Sequence, residues 1–112
     1  DINSPTVIIS GNLVLSTTGK TIDISTTTAA SAAAGTATLS AGTKTVTTTA
    51  IATGSKVFLT MNTPGGTTGI NYSVPDASIV NGTSFVINSI SAAGAVVITD
   101  TSTINWWIIK TH

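Results

Sequence analysis

The segment that most constrains the fold is the last apolar run of the chain, residues 103–110, which reads TINWWIIK and contains both tryptophans. Because side chains of a β-strand alternate between two faces, Trp106 and Ile108 point to one side while Trp107 and Ile109 point to the other. A strand with one solvated face would carry polar residues there, so both faces of this strand must be covered. We expect another copy of the chain to cover the second face. A strand enclosed on both sides within one monomer is the alternative.

The composition of the chain favours strands over helices. Thr, Ser, Ala, Gly and Asn dominate the 112 residues, and only 7% of residues are charged. Thr, Val and Ile prefer extended backbone, whereas Leu, Lys, Glu and Arg, which suit helices, are scarce or absent. The length fits one domain, or a small domain with an appended stem. We therefore predict an all-β protein.

The pattern of strands and turns divides the chain into two regions. Residues 1–34 contain short strand-like runs and then small residues, which predict an N-terminal β stem and a linker. Such brief strands have no core of their own, so they must pack on something, such as sister chains about a common axis. From residue 35 onward, turn signals recur at intervals of roughly 8–12 residues, as in a sandwich or barrel. Residues 35–112 are predicted to form an antiparallel β-sandwich head with strands at 36–40, 43–49, 55–61, 70–74, 84–90, 95–99 and 103–110.

Alternation within these strands assigns a core and a second apolar surface. Phe58 and Trp107 fall on the face opposite to the core-facing residues of their strands. Two such aromatic residues on different strands indicate a second buried surface, and we predict that Phe58, Trp107 and Ile109 form a subunit interface. The predicted core consists of Leu39, Val46, Val57, Leu59, Ile70, Val74, Phe85, Ile87, Val96, Ile98, Trp106 and Ile108.

Charge and cysteine content exclude several classes of function. Four basic residues balance four acidic ones, so nothing attracts nucleic acid or an anionic membrane. No apolar run approaches the roughly 18 residues of a membrane-spanning helix, and we expect no membrane insertion. The absence of Cys removes thiol chemistry and disulfides. Because the sequence begins at Asp1 and not at Met, we expect a fragment or processed product of a longer protein.

The titratable residues are too few and too scattered to predict a catalytic or metal site. Glycoside hydrolysis needs two carboxylates at a defined separation, and the sequence supplies only Asp1, Asp23, Asp76 and Asp100. The one histidine, His112, lies at the C-terminus, where it is poorly placed to activate a Ser nucleophile. We therefore predict no enzyme, no catalytic residue, no cofactor and no metal ligand set. In an oligomer, three copies of one residue on a symmetry axis could still hold an ion.

Four segments of the sequence, taken in order, carry a resemblance to a known family. They are residues 35–49 (GTATLSAGTKTVTTT), 55–60 (SKVFLT), 82–89 (GTSFVINS) and 100–109 (DTSTINWWII). Together they resemble the C-terminal β-rich module at the ends of tail-fibre, head-fibre and related adhesion proteins of bacteriophages and other viruses. Residues 9–15 resemble the short-strand stem that precedes such heads. The resemblance implies a homotrimer with its threefold axis along the fibre, exposed on the virion surface.

We therefore predict the C-terminal fragment of a phage fibre, which attaches the virion to a host-cell glycan or protein through many weak contacts at once. No receptor-binding residue is assigned. The alternative is a monomeric carbohydrate-binding or adhesin module of a secreted bacterial protein, in which Phe58 and Trp107 line a glycan site. A tailspike glycosidase is the weakest reading because the carboxylates are unsuitable.

Overall fold

The computed structural model describes residues 7–110, and these residues form an all-β structure. Single turns of 3₁₀ helix, Ala29–Ser31 and Asp76–Ser78, lie in the connections between strands. The strands are β1 (Ala34–Thr38), β2 (Thr43–Thr47), β3 (Lys56–Thr63), β4 (Asn71–Ser73), β5 (Ser84–Ile90) and β6 (Thr103–Ile109). The predicted all-β class is confirmed. No helix within these residues is long and apolar enough to cross a membrane.

The strands form two antiparallel sheets of three strands each. The first sheet has the order β1-β6-β3 and the second the order β2-β5-β4, so β6 and β5 are the central strands. Their inward residues supply half of the buried core, where the ring of Phe85 meets the ring of Trp106 edge-on with centroids 5.4 Å apart. The two sheets therefore pack face to face, and the predicted antiparallel sandwich is confirmed.

Nine of the twelve predicted core residues are buried in the core or packed against it, and three are exposed. Ile70 is 76% exposed, Val96 41% and Ile98 71%, so their assignment to the core is wrong. Those found in the core or packed against it are Leu39, Val46, Val57, Leu59, Val74, Phe85, Ile87, Trp106 and Ile108. The core also contains Ala32, Ala37, Ile51 and Ile104.

The strand predicted at 95–99 does not form. Val96 makes only an isolated β-bridge to Ile90. Two other backbone groups of this segment bond to separate parts of the head. The N–H of Val97 donates to the carbonyl of Ser89 in β5, and the carbonyl of Thr99 accepts from the N–H of Thr67 in a loop. These isolated bonds do not continue into a ladder with β5, and the side chains of Val96 and Ile98 remain exposed.

The short strands predicted in the stem are also not formed in this single chain. Residues 7–28 contain no strand, and every one of them is exposed. Their backbone makes a turn in which the N–H of Lys20 donates to the carbonyl of Thr17 at 3.2 Å. A strand needs a neighbouring edge to bond to, and no part of the described head supplies one to these residues. The part of the predicted stem before residue 7 lies outside the described residues.

Candidate interaction surface

The outer face of the first sheet carries all three residues predicted for the subunit interface. In the register of β3 with β6, Phe58 lies opposite Trp107 and Lys56 lies opposite Ile109, so their side chains share one face. Phe58 is 56% exposed and Trp107 39% exposed. Their rings are tilted by 44° with centroids 6.2 Å apart. We call Phe58, Trp107 and Ile109 the aromatic patch.

A row of polar side chains continues the same face beyond the aromatic patch. The side-chain oxygen of Asn105 accepts hydrogen bonds from the hydroxyl of Thr36 at 3.2 Å and from the amide of Asn62 at 3.1 Å. The amide of Asn105 in turn faces the hydroxyl of Thr60 at 3.4 Å. These contacts tie β1, β6 and β3 together and hold the polar row (Thr36, Thr60, Asn62 and Asn105) in place. In the sequence, this polar row is indicated only by the strand alternation that places Asn105 on the same face as Trp107.

The stem presents a second apolar surface. Between residues 7 and 24, eight large aliphatic side chains are 36–85% exposed. Soluble monomers rarely expose large apolar patches, and such patches commonly mark sites of association. These residues are Val7, Ile8, Ile9, Leu13, Val14, Leu15, Ile22 and Ile24.

Asp100 is fully buried and organises the loops beside β4 and β5. One of its carboxylate oxygens accepts hydrogen bonds from the hydroxyl of Ser89 at 2.6 Å, the phenol of Tyr72 at 2.8 Å and the N–H of Gly69 at 2.9 Å. The other accepts from the N–H of Ser102 at 2.8 Å, as expected for a capped turn. Asp100 therefore ties together three parts of the chain, which are residues 69–72, Ser89 in β5 and its own turn at residues 100–102.

The electrostatics of this network favour a charged aspartate and a neutral tyrosine. Burial acts to raise the pKa of Asp100, but hydrogen bonds from Ser102, Ser89 and the Gly69 backbone hold that pKa well below its usual range. Burial, helped by the nearby Asp100 charge, raises the pKa of the Tyr72 phenol. The phenol therefore remains a donor and the carboxylate an acceptor, as a stable structural network requires.

The other carboxylates lie in different parts of the fold. Asp23 lies in the exposed stem and accepts a hydrogen bond from the hydroxyl of Thr21 at 3.0 Å, and Asp76 begins an exposed 3₁₀ turn. Asp1 and His112 are outside the described residues. Among residues 7–110, no three His, Cys, Asp or Glu side chains come together as a metal site would require.

A cleft opens between the two sheets along their edge strands β1 and β2. One lobe has a volume of about 500 Å³ and a neighbouring lobe about 330 Å³. Ala29, Thr36 and Trp106 line both lobes, so the two are adjoining parts of one cleft. Sequence reasoning missed this cleft because its walls come from edge strands of different sheets.

Together these features define a class of protein: a β-sandwich module with an exposed aromatic patch and an exposed apolar stem. Residues 31–109 match the family described as the K1 capsule-specific polysaccharide lyase, C-terminal domain. The match spans more than half of the chain, and the chain belongs to this family. No curated protein and no solved structure matches it. Membership of this family is compatible with the predicted C-terminal module of a phage fibre.

Proposed function

We propose that the chain is the C-terminal module of a phage fibre or tail spike, which assembles as a homotrimer on the virion surface and helps to attach the particle to its host. The family description names a capsule polysaccharide as the substrate of the lyase. A surface glycan is therefore the favoured receptor. Repetition of the module on each particle would multiply weak single-site contacts.

The exposed aliphatic residues of the stem carry this proposal. Covering a Val, Leu or Ile side chain contributes about 1.5–3 kcal/mol, and eight such side chains are uncovered in the stem. Their joint burial would contribute on the order of 10 kcal/mol, which is comparable to the whole stability of a typical domain. Sister stems around one axis would supply both the missing apolar cover and the missing strand edges.

The mass of the native assembly tests this proposal. We expect a trimer at micromolar concentration by native mass spectrometry, and a shift towards monomer when Leu13→Ser and Leu15→Ser are combined. Ile98→Ser is the matched control, because Ile98 is 71% exposed but lies in the head. A wild-type chain that stays monomeric at this concentration would refute the trimer. Dissociation of the control to the same extent would refute the role of the stem.

We also propose that the module binds its receptor without cleaving it. Asp100 is the buried carboxylate of the described head. It accepts four hydrogen bonds and is not accessible to a substrate. Incubation of the purified chain with capsular polysaccharide should release no unsaturated oligosaccharide. Accumulation of such products would contradict this part of the proposal.

A second candidate function is glycan binding by the outer face of the first sheet. The aromatic patch lies beside the polar row, and aromatic rings next to fixed amides and hydroxyls suit a sugar ring. This function uses the same side chains as the proposed subunit interface. The two functions therefore predict different effects of substituting Trp107: a subunit interface predicts weaker assembly, and a glycan site predicts weaker glycan binding.

A further inference from the structure

Trp106 presents an unpaired hydrogen-bond donor inside the cleft between β1 and β2. The residue is only 7% exposed, and its ring is held between Phe85 and the backbone of Gly35. Within the described residues, the indole N–H of Trp106 has no hydrogen-bond partner. Every side-chain nitrogen that is fully buried among these residues does have a partner. The indole N–H must therefore reach accessible space. Trp106 lines both lobes of the cleft, which is where a ligand atom would meet this donor.

The indole ring of Trp106 packs against the backbone of Gly35, which has no side chain to displace it. A Cβ placed there would lie 2.7 Å from the Cζ2 atom of the indole ring. Any larger residue at this position would displace the ring. Gly35 therefore fixes the place of the indole N–H, which makes the donor preorganised for a ligand.

Lys44 supplies a positive charge to the same cleft. In the register of β2 with β5, Lys44 lies opposite Ile87 and Val46 opposite Phe85, so Lys44 shares the inward face with core residues. It lines the larger lobe together with Ala37 and Val46. No acidic residue lines either lobe, so the charge of Lys44 is not offset by an acidic neighbour in the cleft.

An inward-facing lysine on an edge strand also protects a sheet from pairing with other strands. That role accounts for the charge of Lys44, but it does not account for an unpaired and immobilised indole N–H in the same cleft. A ligand that satisfies both groups needs a negative charge and a neutral acceptor. It also needs an apolar surface to lie on Ala37 and Val46.

We propose that this cleft binds one acidic sugar residue of a host polysaccharide, a sugar unit that carries a carboxylate. Its carboxylate would pair with the ammonium of Lys44, a ring or hydroxyl oxygen would accept from the indole N–H of Trp106, and its C–H face would lie on Ala37 and Val46. The volume of the larger lobe, about 500 Å³, falls in the range of small-molecule sites. This inference deepens the proposed attachment function and rests on it.

Nuclear magnetic resonance of the full chain tests the proposal through the two indole N–H signals. The probes are methyl β-D-glucuronide and methyl β-D-glucoside, which differ only in the carboxylate. Titration with the glucuronide in the millimolar range should shift the Trp106 indole signal saturably and leave that of Trp107 in place. The glucoside should bind at least several-fold more weakly. Trp106→Phe assigns the signal and removes the donor while it keeps an aromatic ring in the core.

Two lysine variants provide the matched comparison. Lys44→Gln should weaken glucuronide binding about tenfold or more, as expected for loss of a charged hydrogen bond. Lys56→Gln removes the same charge from the outer face beside the aromatic patch and should leave binding unchanged. Equal weakening by both variants would overturn the assignment of the cleft.

Other results would overturn the proposal as well. They are equal binding of the neutral glucoside, a shift of Trp107 in place of Trp106, and no shift at all. The native mass of the same samples separates this inference from the proposed function. A trimer with an unresponsive cleft would refute the sugar site alone, whereas a monomer would refute the proposed assembly.

Discussion

Phe58 and Trp107 lie directly opposite each other on neighbouring strands, and their exposed rings are in contact with centroids 6.2 Å apart. A cross-strand pair of this kind contributes roughly 0.2–1 kcal/mol to the sheet. Covering both rings with a partner would contribute considerably more. In the proposed assembly, the pair would therefore contribute more to partner binding than it contributes to the stability of the isolated sandwich.

Trp107→Ala tests which partner covers the aromatic patch. If the patch is a subunit interface, the substitution should weaken assembly by about 2 kcal/mol or more, as for other central aromatic residues of interfaces. Sedimentation at several protein concentrations measures this loss. Val80→Ala is the control, since Val80 is 53% exposed and lies outside the patch. If the trimer persists and only glycan binding falls, the patch is a sugar platform.

Asp100→Asn should destabilise the sandwich. The substitution replaces a buried acceptor of four hydrogen bonds with an amide, which brings its own donors towards the N–H and O–H groups that surround it. We expect a loss of about 2–4 kcal/mol in the free energy of unfolding, measured by urea denaturation. Asp76→Asn is the control because Asp76 is exposed in a 3₁₀ turn. Similar losses in both variants would argue against the network.

The same network predicts a loss of stability in acid. The pKa of Asp100 is depressed in the folded protein, so the unfolded chain takes up this proton first as the pH falls. The stabilisation from Asp100 should be complete above about pH 4 and should decline progressively below it. Urea denaturation at a series of acidic pH values measures the decline. The curve of Asp100→Asn should be flatter, and parallel curves would contradict the assignment.

The sequence predicts the central strands β5 and β6 well because their alternation of apolar residues is typical of a β-strand. In β5 and β6 an apolar residue occupies alternate positions and is buried, as at Phe85, Ile87, Ile104 and Trp106. The same alternation at 95–99 predicts a strand wrongly. There the backbone makes only scattered bonds, to Ser89 in β5 and to the loop at Thr67, and sequence periodicity carries no information about the partners of backbone groups.

The loop network and the cleft are harder to predict for a different reason. Asp100 gathers partners from segments as far apart in sequence as Gly69 and Ser102. The cleft depends on β1 and β2 being edge strands of separate sheets. Both arrangements follow from the order of strands in space, which local patterns do not specify. The aromatic patch was predictable because it needs only the alternation within β3 and β6.

Gly42→Ala and Gly94→Ala form a matched test of how tightly the 95–99 segment is held. Both glycines have positive φ, 78° and 83°, so an alanine at either position should cost about 1–2 kcal/mol from backbone strain. A Cβ at Gly42 would also clash with the carbonyl oxygen of Val97 and lie 2.8 Å from its carbonyl carbon, whereas one at Gly94 meets no atom within 4 Å.

The clash at Gly42 involves backbone, which cannot move aside as a flexible side chain would. The N–H of Gly42 also donates to the carbonyl of Asp100 at 3.0 Å, and its own carbonyl accepts from Ser89 at 2.8 Å. Gly42→Ala should therefore lose about 2 kcal/mol more than Gly94→Ala in urea denaturation. Equal losses would mean that the 95–99 segment shifts freely. Its packing against the turn before β2 would then contribute little to the stability of the Asp100 network.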